Sequence, residues 1–125
     1  MPTVLIVDDE PAIGHIFASE FEEEGFKVLR AFTGDEGLKL ALQEKPDVMV
    51  LDIVMPGLNG YEVCKTIRER PELASMVIVM TSAKSYKSDI DKALEVGANE
   101  YIVKPGDLGQ LVAAVKRHLQ FRSQS

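Results

Sequence analysis

The sequence has few of the residues on which several common kinds of site depend. Among its 125 residues there is one cysteine, Cys64, and there is no tryptophan. A single cysteine excludes an internal disulfide and any zinc site built from several thiolates. Cys64 also stands among apolar residues at helical spacing, which favours a buried position over a reactive thiol.

Long apolar runs and an excess of basic residues are missing as well. No run approaches the roughly 18 apolar residues of a membrane-spanning helix, and the N-terminal residues lack the basic and apolar regions of a signal peptide. The 14 Lys and Arg residues against 20 Asp and Glu give a formal net charge of -6. The missing membrane span and signal peptide favour a cytoplasmic protein. Because nucleic acids and anionic membranes attract clustered basic residues, we expect this acidic domain to bind neither and to attract cations.

Short β-branched and apolar stretches alternate with longer helical patterns along the chain. Three of these stretches, VLIV, VMVL and VIVM, are continuously apolar, as strands covered on both faces are. Strands are predicted at Thr3–Val7, Lys27–Ala31, Asp47–Leu51, Met76–Thr81 and Glu100–Val103. Regular alternation with five helices indicates right-handed βαβ units, and therefore a doubly wound α/β fold with a parallel sheet.

The predicted helices carry apolar stripes and recognisable ends. In the first and fourth helices the stripes include Ile16 and Leu94, which we expect to face the core. Glu36 and Glu62 each stand three residues after a polar residue that opens a helix, which is the spacing of a capping box. The start signals of the first, second, third and fifth helices are Pro11, Thr33, Asn59 and Asp107.

A single domain is expected to fill residues 1–125, with its core at about residues 3–119. No linker, repeat or low-complexity stretch divides the sequence. A chain of this length can bury about two thirds of its unfolded surface around one core. Residues 122–125 suggest a frayed or cut end, so the sequence is compatible with a stand-alone domain or a piece of a longer protein.

Polar residues directly follow four of the predicted strands. Parallel strands bring these residues to one edge of the sheet, where ligands bind in open α/β folds. Two carboxylates about 4 Å apart repel each other by roughly 4 kcal/mol at an effective dielectric near 20, so the acids among them need solvent or a positive charge. The residues are Asp8, Asp9 and Glu10 after strand 1, Asp52 after strand 3, Thr81 and Ser82 at strand 4, and Lys104 after strand 5.

Carboxylates without nearby histidine or cysteine favour Mg²⁺, or Mn²⁺, as the cation. Thr81 and Lys104 then remain as donors for the oxygens of a phosphoryl group. An Asp carboxylate beside Mg²⁺ and a lysine is suited to attack phosphorus and form an aspartyl phosphate. On residue types alone, an exposed acidic turn remains an alternative.

Four stretches resemble, in order and spacing, the receiver domains of two-component response regulators, the CheY-like family: VLIVDDEP, DVMVLDIVMPGLNGYEV, VIVMTSAK and GANEYIVKP. The resemblance spans Thr3 to about Leu119. It implies a flavodoxin-like sheet in the order 2-1-3-4-5 and a phosphorelay switch that is not a turnover enzyme. The implied partners are a sensor histidine kinase or histidine phosphotransfer protein, and a downstream effector or dimer reached through helix 4, strand 5 and helix 5.

The resemblance also implies which residues accept the phosphoryl group and hold the metal. Asp52 is the phosphoacceptor. Asp8 and Asp9, with Asp9 more direct, bind Mg²⁺ together with Asp52 and the backbone carbonyl of Val54.

The remaining implied roles concern the phosphoryl oxygens and the switch. Thr81 and Lys104 contact the phosphoryl oxygens, and Tyr101 swings inward as Thr81 moves. The peptide between Lys104 and Pro105 is expected to be cis.

Four positions depart from the family pattern or bear on its chemistry. Gly106 stands where an aromatic residue is frequent, which leaves an apolar contact missing, and Ser82 stands where alanine or glycine is usual. Val54 and Ala83 flank the path of a water that would attack the phosphoryl group, and both are non-polar.

Three other functions share parts of this pattern. A haloacid-dehalogenase-type phosphatase needs an acid at the position of Val54, and a flavodoxin-like FMN carrier needs a phosphate-binding loop where Asp8, Asp9 and Glu10 stand. A degenerate receiver, acting as a phosphorylation-independent interaction module, is opposed by the presence of every expected site residue.

Overall fold

The strands form one parallel sheet that is covered by helices on both faces. The structure is a computed structural model that describes residues 1–83, 86–104, 106 and 108–124. The sheet order is β2-β1-β3-β4-β5, and every pairing is parallel. This confirms the predicted fold class and strand order. The elements are β1 (Thr3–Val7), α1 (Pro11–Glu23), β2 (Lys27–Ala31), α2 (Gly34–Glu44), β3 (Val48–Asp52), α3 (Gly60–Arg68), a 3-10 helix (Pro71–Leu73), β4 (Val77–Ser82), α4 (Lys87–Glu95), β5 (Glu100–Val103) and α5 (Leu108–Gln124).

Two strands begin and end one residue later than predicted. β3 reaches Asp52 and β4 reaches Ser82, so both residues belong to the ladder. Asp52 is paired with Thr81, and Ser82 is paired with Val103. The strand ladder therefore holds the backbone of these polar residues in place, which is a firmer support than a loop would give.

The pleat of the sheet divides the core into two layers. Successive side chains of a strand point to opposite faces, so each strand contributes to both layers. The layer beneath α2, α3 and α4 contains, from the strands, Leu5, Val7, Met49, Leu51, Ile78 and Met80, with Tyr101 packed against it. The layer beneath α1 and α5 contains Val4, Ile6, Val48, Val50, Val77, Val79 and Ile102.

Two of the predicted core positions on helices are wrong. Ile16 is 46% exposed and Leu94 is 49% exposed. In α1 the buried face consists of Gly14 and the residues three, four and seven positions after it. Ile16 lies outside this face and is turned toward solvent. The residues of that face are Gly14, Phe17, Ala18 and Phe21.

The two predicted capping boxes form to different extents. In α3 the pair is reciprocal, because Asn59 accepts from the backbone of Glu62 at 3.0 Å and Glu62 accepts from the backbone of Asn59 at 3.1 Å. In α2, Thr33 accepts from the backbone of Glu36 at 3.1 Å, but the Glu36 carboxylate accepts from Phe32 at 2.9 Å. Both helix starts are capped by the residues that the sequence indicated.

α5 continues through Gln124, although the sequence suggested a frayed end from Arg122. The Arg122 guanidinium donates to the carboxylate of Asp47 at 2.9 Å and to its backbone carbonyl at 3.2 Å, which fixes the last turns of the helix. The predicted start of this helix at Asp107 lies outside the described residues. In the described part of the chain, neither α5 nor any other helix has the length and apolar character needed to cross a membrane.

Candidate functional site

Four acidic side chains converge at the carboxyl edge of the sheet. One carboxylate oxygen from each of Asp8, Asp9, Glu10 and Asp52 lies within 4.8 Å of the others. Asp8 and Asp52 are buried, Asp9 is half-buried and Glu10 is exposed. The cluster borders an open pocket of about 370 Å³ that is lined by Asp9, Glu10, Asp52, Val54, Ser82, Ala83 and Lys104.

Lys104 is the cation that the described residues place within this cluster. Its ammonium lies 2.9 Å from Asp8, 3.4 Å from Asp52 and 3.6 Å from Glu10, and its side chain is only 9% exposed. Burial lowers the pKa of Lys104, but the hydrogen bond to Asp8 and the charge of Asp52 outweigh burial, so the pKa lies above its ordinary value. Lys104 therefore stays charged and is shared among three carboxylates.

The Asp52 carboxyl is harder to ionise in this environment than an ordinary aspartate, because its pKa is raised. Its pKa is raised from 3.8 to about 6, chiefly by burial, and the charges of Asp8 and Asp9 raise it further against the opposing effect of Lys104. Four carboxylates and one ammonium give a local charge of -3 when all are ionised. The cluster therefore has more negative charge than the Lys104 ammonium can balance.

The available oxygen atoms fit a hard divalent cation. Both oxygens of Asp8 already accept hydrogen bonds, one from the backbone of Glu10 and one from Lys104, each at 2.9 Å. Asp9 and Asp52 present further carboxylate oxygens at the pocket, and Val54 lines it as well. Carboxylate and carbonyl oxygens, with space for water, are the ligands that Mg²⁺ and Mn²⁺ prefer.

The position of Asp52 depends on a close approach between α3 and the end of β3. The backbone N–H of Ile53 donates to Thr81 at 3.1 Å, and that of Gly60 donates to Ile53 at 2.9 Å. A Cβ atom at Gly60 would lie 2.6 Å from the carbonyl oxygen of Asp52, which is closer than a carbon atom can come. Gly60 is therefore needed for α3 to start against this strand end.

The two hydroxyls at the end of β4 have different surroundings. The Thr81 hydroxyl oxygen is buried and has no hydrogen-bond partner among the described residues. Thr81 borders a narrow cavity of about 10 Å³ beneath α1 and α5, whose lining includes Gly106, where the sequence suggested a missing apolar contact. Ser82, which is also buried, lines the pocket beside Asp52.

Tyr101 is partly buried against the layer beneath α2, α3 and α4. Burial raises the pKa of the Tyr101 phenol, a side-chain hydrogen bond with Ser82 lowers it, and the charges of Asp89 and Asp52 raise it, so that the pKa is raised overall. The bond between Ser82 and Tyr101 was not anticipated from the sequence. The alternation of side chains in two neighbouring strands is the signal that could have indicated it. The expected cis bond before Pro105 lies outside the described residues.

The family of the chain follows from comparison with known proteins. A family model of the response regulator receiver domain matches residues 4–116. The chain belongs to the response regulator receiver domain family. The resemblance found in the sequence is thereby confirmed, and the chain is the receiver domain of a two-component response regulator.

Relatives and solved structures agree with this assignment. The receiver domain is 37% identical over 121 residues to the phosphate regulon transcriptional regulatory protein PhoB of Rhizobium meliloti (strain 1021), a match that covers 96% of this chain and 53% of PhoB. The chain thus spans about half the length of that relative. A CheY-like receiver domain protein from Methanospirillum hungatei JF-1 superposes with a TM-score of 0.92 at 27% identity, covering 99% of this chain and 98% of that one. Chemotaxis protein CheY4 of Vibrio cholerae gives a TM-score of 0.88 at 28% identity, covering 94% and 98%.

Proposed function

We propose that this receiver domain is a phosphorylation switch in which Asp52 accepts a phosphoryl group from the phosphohistidine of a sensor kinase or phosphotransfer protein. The observation that carries the proposal is the position of Asp52. It is a buried carboxylate at the end of the central strand, 3.4 Å from the Lys104 ammonium and within a cluster that has an excess of negative charge. An oxygen of Asp52 forms the new bond to phosphorus as the N–P bond of the phosphohistidine breaks. The leaving imidazole keeps the electron pair of that bond and takes a proton from solvent.

The surrounding residues have distinct tasks in this reaction. Asp8, Asp9, Asp52 and the carbonyl of Val54 would hold Mg²⁺, or Mn²⁺, which when bound supplies positive charge to the phosphoryl oxygens. Asp9 has the larger part in this, because both oxygens of Asp8 already accept hydrogen bonds. Lys104 is close enough to Asp52 to donate to the same phosphoryl oxygens.

The buried Thr81 hydroxyl supports a role in the switch. A buried hydroxyl without a partner is costly, so a new acceptor nearby would attract it. Phosphorylation adds a charge of about -1.5 to -2 with three acceptor oxygens, and Thr81 pairs directly with Asp52 in the sheet. Thr81 and Lys104 would then move toward the phosphoryl group, and the Tyr101 ring would move inward. These movements would alter the face formed by α4, β5 and α5.

That face is where we place the output. Leu94 and Val103 are 49% and 37% exposed there, which provides apolar contacts for a downstream effector or a second receiver. The relative PhoB is named a transcriptional regulatory protein, which supports an effector as one partner. We place the domain in the cytoplasm as a switch that modifies itself and is not a turnover enzyme. With a net charge of -6, it would leave DNA binding to an effector.

The proposal is tested by phosphorylation in vitro. The protein is incubated with Mg²⁺ and acetyl phosphate, and intact mass is measured for wild type, Asp52→Asn and the control Asp47→Asn. We expect wild type and Asp47→Asn to gain one base-labile phosphoryl group and Asp52→Asn to gain none. A stoichiometric gain in Asp52→Asn would refute the assigned acceptor. No gain in wild type with either acetyl phosphate or a phosphohistidine donor would favour the alternative of a degenerate receiver that acts only as an interaction module.

A second measurement tests the output face. Amide NMR spectra are recorded with Mg²⁺ before and after addition of beryllofluoride, which mimics the phosphoryl group. We expect the largest shifts outside the site itself to fall in β4, α4 and β5. Shifts confined to α1 and α2 would contradict this route.

A further inference from the structure

One buried serine, Ser82, borders the pocket at Asp52 and is also bonded to Tyr101. Ser82 is 1% exposed and ends β4, so its position is set by the strand ladder. It lines the pocket together with Asp52 and Lys104. It also makes a side-chain hydrogen bond with Tyr101. One residue thus borders the candidate phosphoryl site and bonds the aromatic residue of the output face.

The sheet register explains this contact. Met80 pairs with Tyr101, and Ser82 pairs with Val103. Because side chains alternate along a strand, Met80 and Ser82 project on the same face of the sheet, and that face also carries Tyr101. The packing agrees, since Met80 and Tyr101 belong to the same core layer.

Thr81 does not occupy an equivalent position. It lies between Met80 and Ser82 in β4, so its side chain projects on the opposite face, where it borders the narrow cavity under α1 and α5. Its hydroxyl makes no hydrogen bond among the described residues, whereas Ser82 bonds Tyr101. Of these two hydroxyls, that of Ser82 is therefore the one joined to Tyr101.

We propose that Ser82 is a positioning residue that couples a phosphoryl group on Asp52 to Tyr101. The inference rests on the proposed function of Asp52. A serine hydroxyl can accept one hydrogen bond and donate another at the same time. In the phosphorylated protein Tyr101 donates to Ser82, and Ser82 donates to a phosphoryl oxygen.

The charge of the phosphoryl group gives this pair of hydrogen bonds its direction. A hydroxyl that donates to an anion becomes a better acceptor, and this polarisation is stronger away from water. Phosphorylation therefore tightens the bond from Tyr101 to Ser82 and favours the inward position of the ring. A receiver with alanine or glycine at this position lacks the hydroxyl and has to move its aromatic residue by other contacts.

The test is a double-mutant cycle on Ser82→Ala, Tyr101→Phe and the combined variant, with Ser75→Ala as a control for loss of an exposed serine hydroxyl. Affinity for beryllofluoride with Mg²⁺ is measured by amide NMR titration. We expect Ser82→Ala to weaken binding about tenfold and Tyr101→Phe about threefold, because charge-assisted hydrogen bonds exceed neutral ones. The combined variant should bind like Ser82→Ala alone, and Ser75→Ala like wild type.

A second readout follows Tyr101 itself in protein labelled with ¹³C at the tyrosine Cζ. Beryllofluoride should shift the Tyr101 signal in wild type and leave it nearly unchanged in Ser82→Ala. Additive losses in the cycle, or an undiminished Tyr101 shift in Ser82→Ala, would overturn the proposal. If Ser82→Ala were not folded by its amide spectrum, Tyr101→Phe alone decides, since wild-type affinity in that variant also overturns it. Failure of wild type itself to bind beryllofluoride would instead refute the assignment of Asp52, and this inference with it.

Discussion

At the scale of single residues, the raised pKa of Asp52 connects function to stability. Because the native pKa of about 6 lies above the usual 3.8, protonation favours the folded state. That stabilisation is full below about pH 4 and is lost as pH rises through about 6. A difference of about two pKa units corresponds to roughly 3 kcal/mol as an upper value. We expect Asp52→Asn to stabilise the metal-free protein by roughly 1–3 kcal/mol near neutral pH and hardly at all near pH 4.

Asp47 provides a control of opposite sign for this measurement. Burial raises the pKa of Asp47, but hydrogen bonds from Thr3 and Arg122 outweigh burial, so the pKa is lowered. Its contribution to stability is present at neutral pH and is lost as pH falls through the native pKa. Urea unfolding in EDTA at both pH values should therefore show Asp47→Asn destabilised near neutral pH. An effect of Asp52→Asn that does not depend on pH would contradict the argument.

If Asp52 is phosphorylated as proposed, individual side chains should set the lifetime of the phosphoryl group. Val54 is 57% exposed at the pocket and Ala83 is exposed beside it, and neither can hold a water in line with the Asp52–phosphorus bond. We expect a lifetime of minutes to hours. The pair Val54→Asn with Ala83→Glu should shorten it about tenfold, because a positioned water and a nearby base accelerate such steps. Loss of the phosphoryl group is measured with Mg²⁺ present and the donor removed. Ala113→Glu, at an exposed position of α5, is the control for adding a carboxylate elsewhere on the surface. A wild-type half-life of seconds, or no acceleration in the pair, would show that backbone groups place the water well enough.

At the scale of elements, Arg68 joins α3 to two connecting segments. Its guanidinium donates to the backbone carbonyls of Gly97 at 2.9 Å, Ala74 at 2.9 Å and Met76 at 2.6 Å, and to the side chain of Asn99 at 2.9 Å. We expect Arg68→Met to destabilise the domain by roughly 2–4 kcal/mol, because several acceptors lose their donor at once.

The neighbouring Arg70 is a matched control for Arg68. Its guanidinium lies 3.6 Å from Glu72, and both side chains are almost half exposed, at 47% and 45%. Exposed pairs of this kind contribute little, so Arg70→Met should change the free energy of unfolding by less than about 0.5 kcal/mol. Urea unfolding of the two variants under the same conditions compares them. Similar values would mean that the Arg68 contacts do not stabilise the arrangement of these segments.

The elements also show why the sequence predicted some features and missed others. The strands and the polar edge follow from local periodicity, whereas the strand order and the roles of the site residues were expected from a resemblance that spans the chain. The hydrogen bonds of Arg68 join residues up to 31 positions apart, so no local pattern reveals them. The sequence of α1 has two overlapping stripes that could face the core, and the prediction chose the one that contains Ile16. The buried stripe is the one that contains the small residues Gly14 and Ala18. The contact between Ser82 and Tyr101 depends on the register of β4 against β5, which the sequence does not reveal, and β4 starts one residue later than predicted.

At the scale of the whole molecule, the acidic excess makes stability depend on cations. The net charge is -6, and four of the acids are clustered at one edge. A ligand that binds only the native state at a hundredfold excess over its Kd stabilises by about 2.7 kcal/mol. We expect the Tm to rise with Mg²⁺ and Asp9→Asn to remove most of the rise.

General screening has to be separated from specific binding in this measurement. Added salt weakens repulsion among all surface charges, so each Mg²⁺ melt is paired with a KCl melt of equal ionic strength. Glu10→Gln, which changes an exposed member of the cluster, should keep most of the Mg²⁺ effect. Equal rises in KCl and Mg²⁺ would count against a specific metal site.

The bond between Asp8 and Lys104 joins positions that are 96 residues apart. During synthesis, a ribosome releases the acids that follow β1 long before it releases the lysine that follows β5. Until then β1 is present, but the negative charges at its end lack the ammonium of Lys104. The site can therefore become electrically complete only after nearly the whole domain has been made. A nascent chain halted before β5 would have only dissolved cations to offset the negative charges at the ends of β1 and β3.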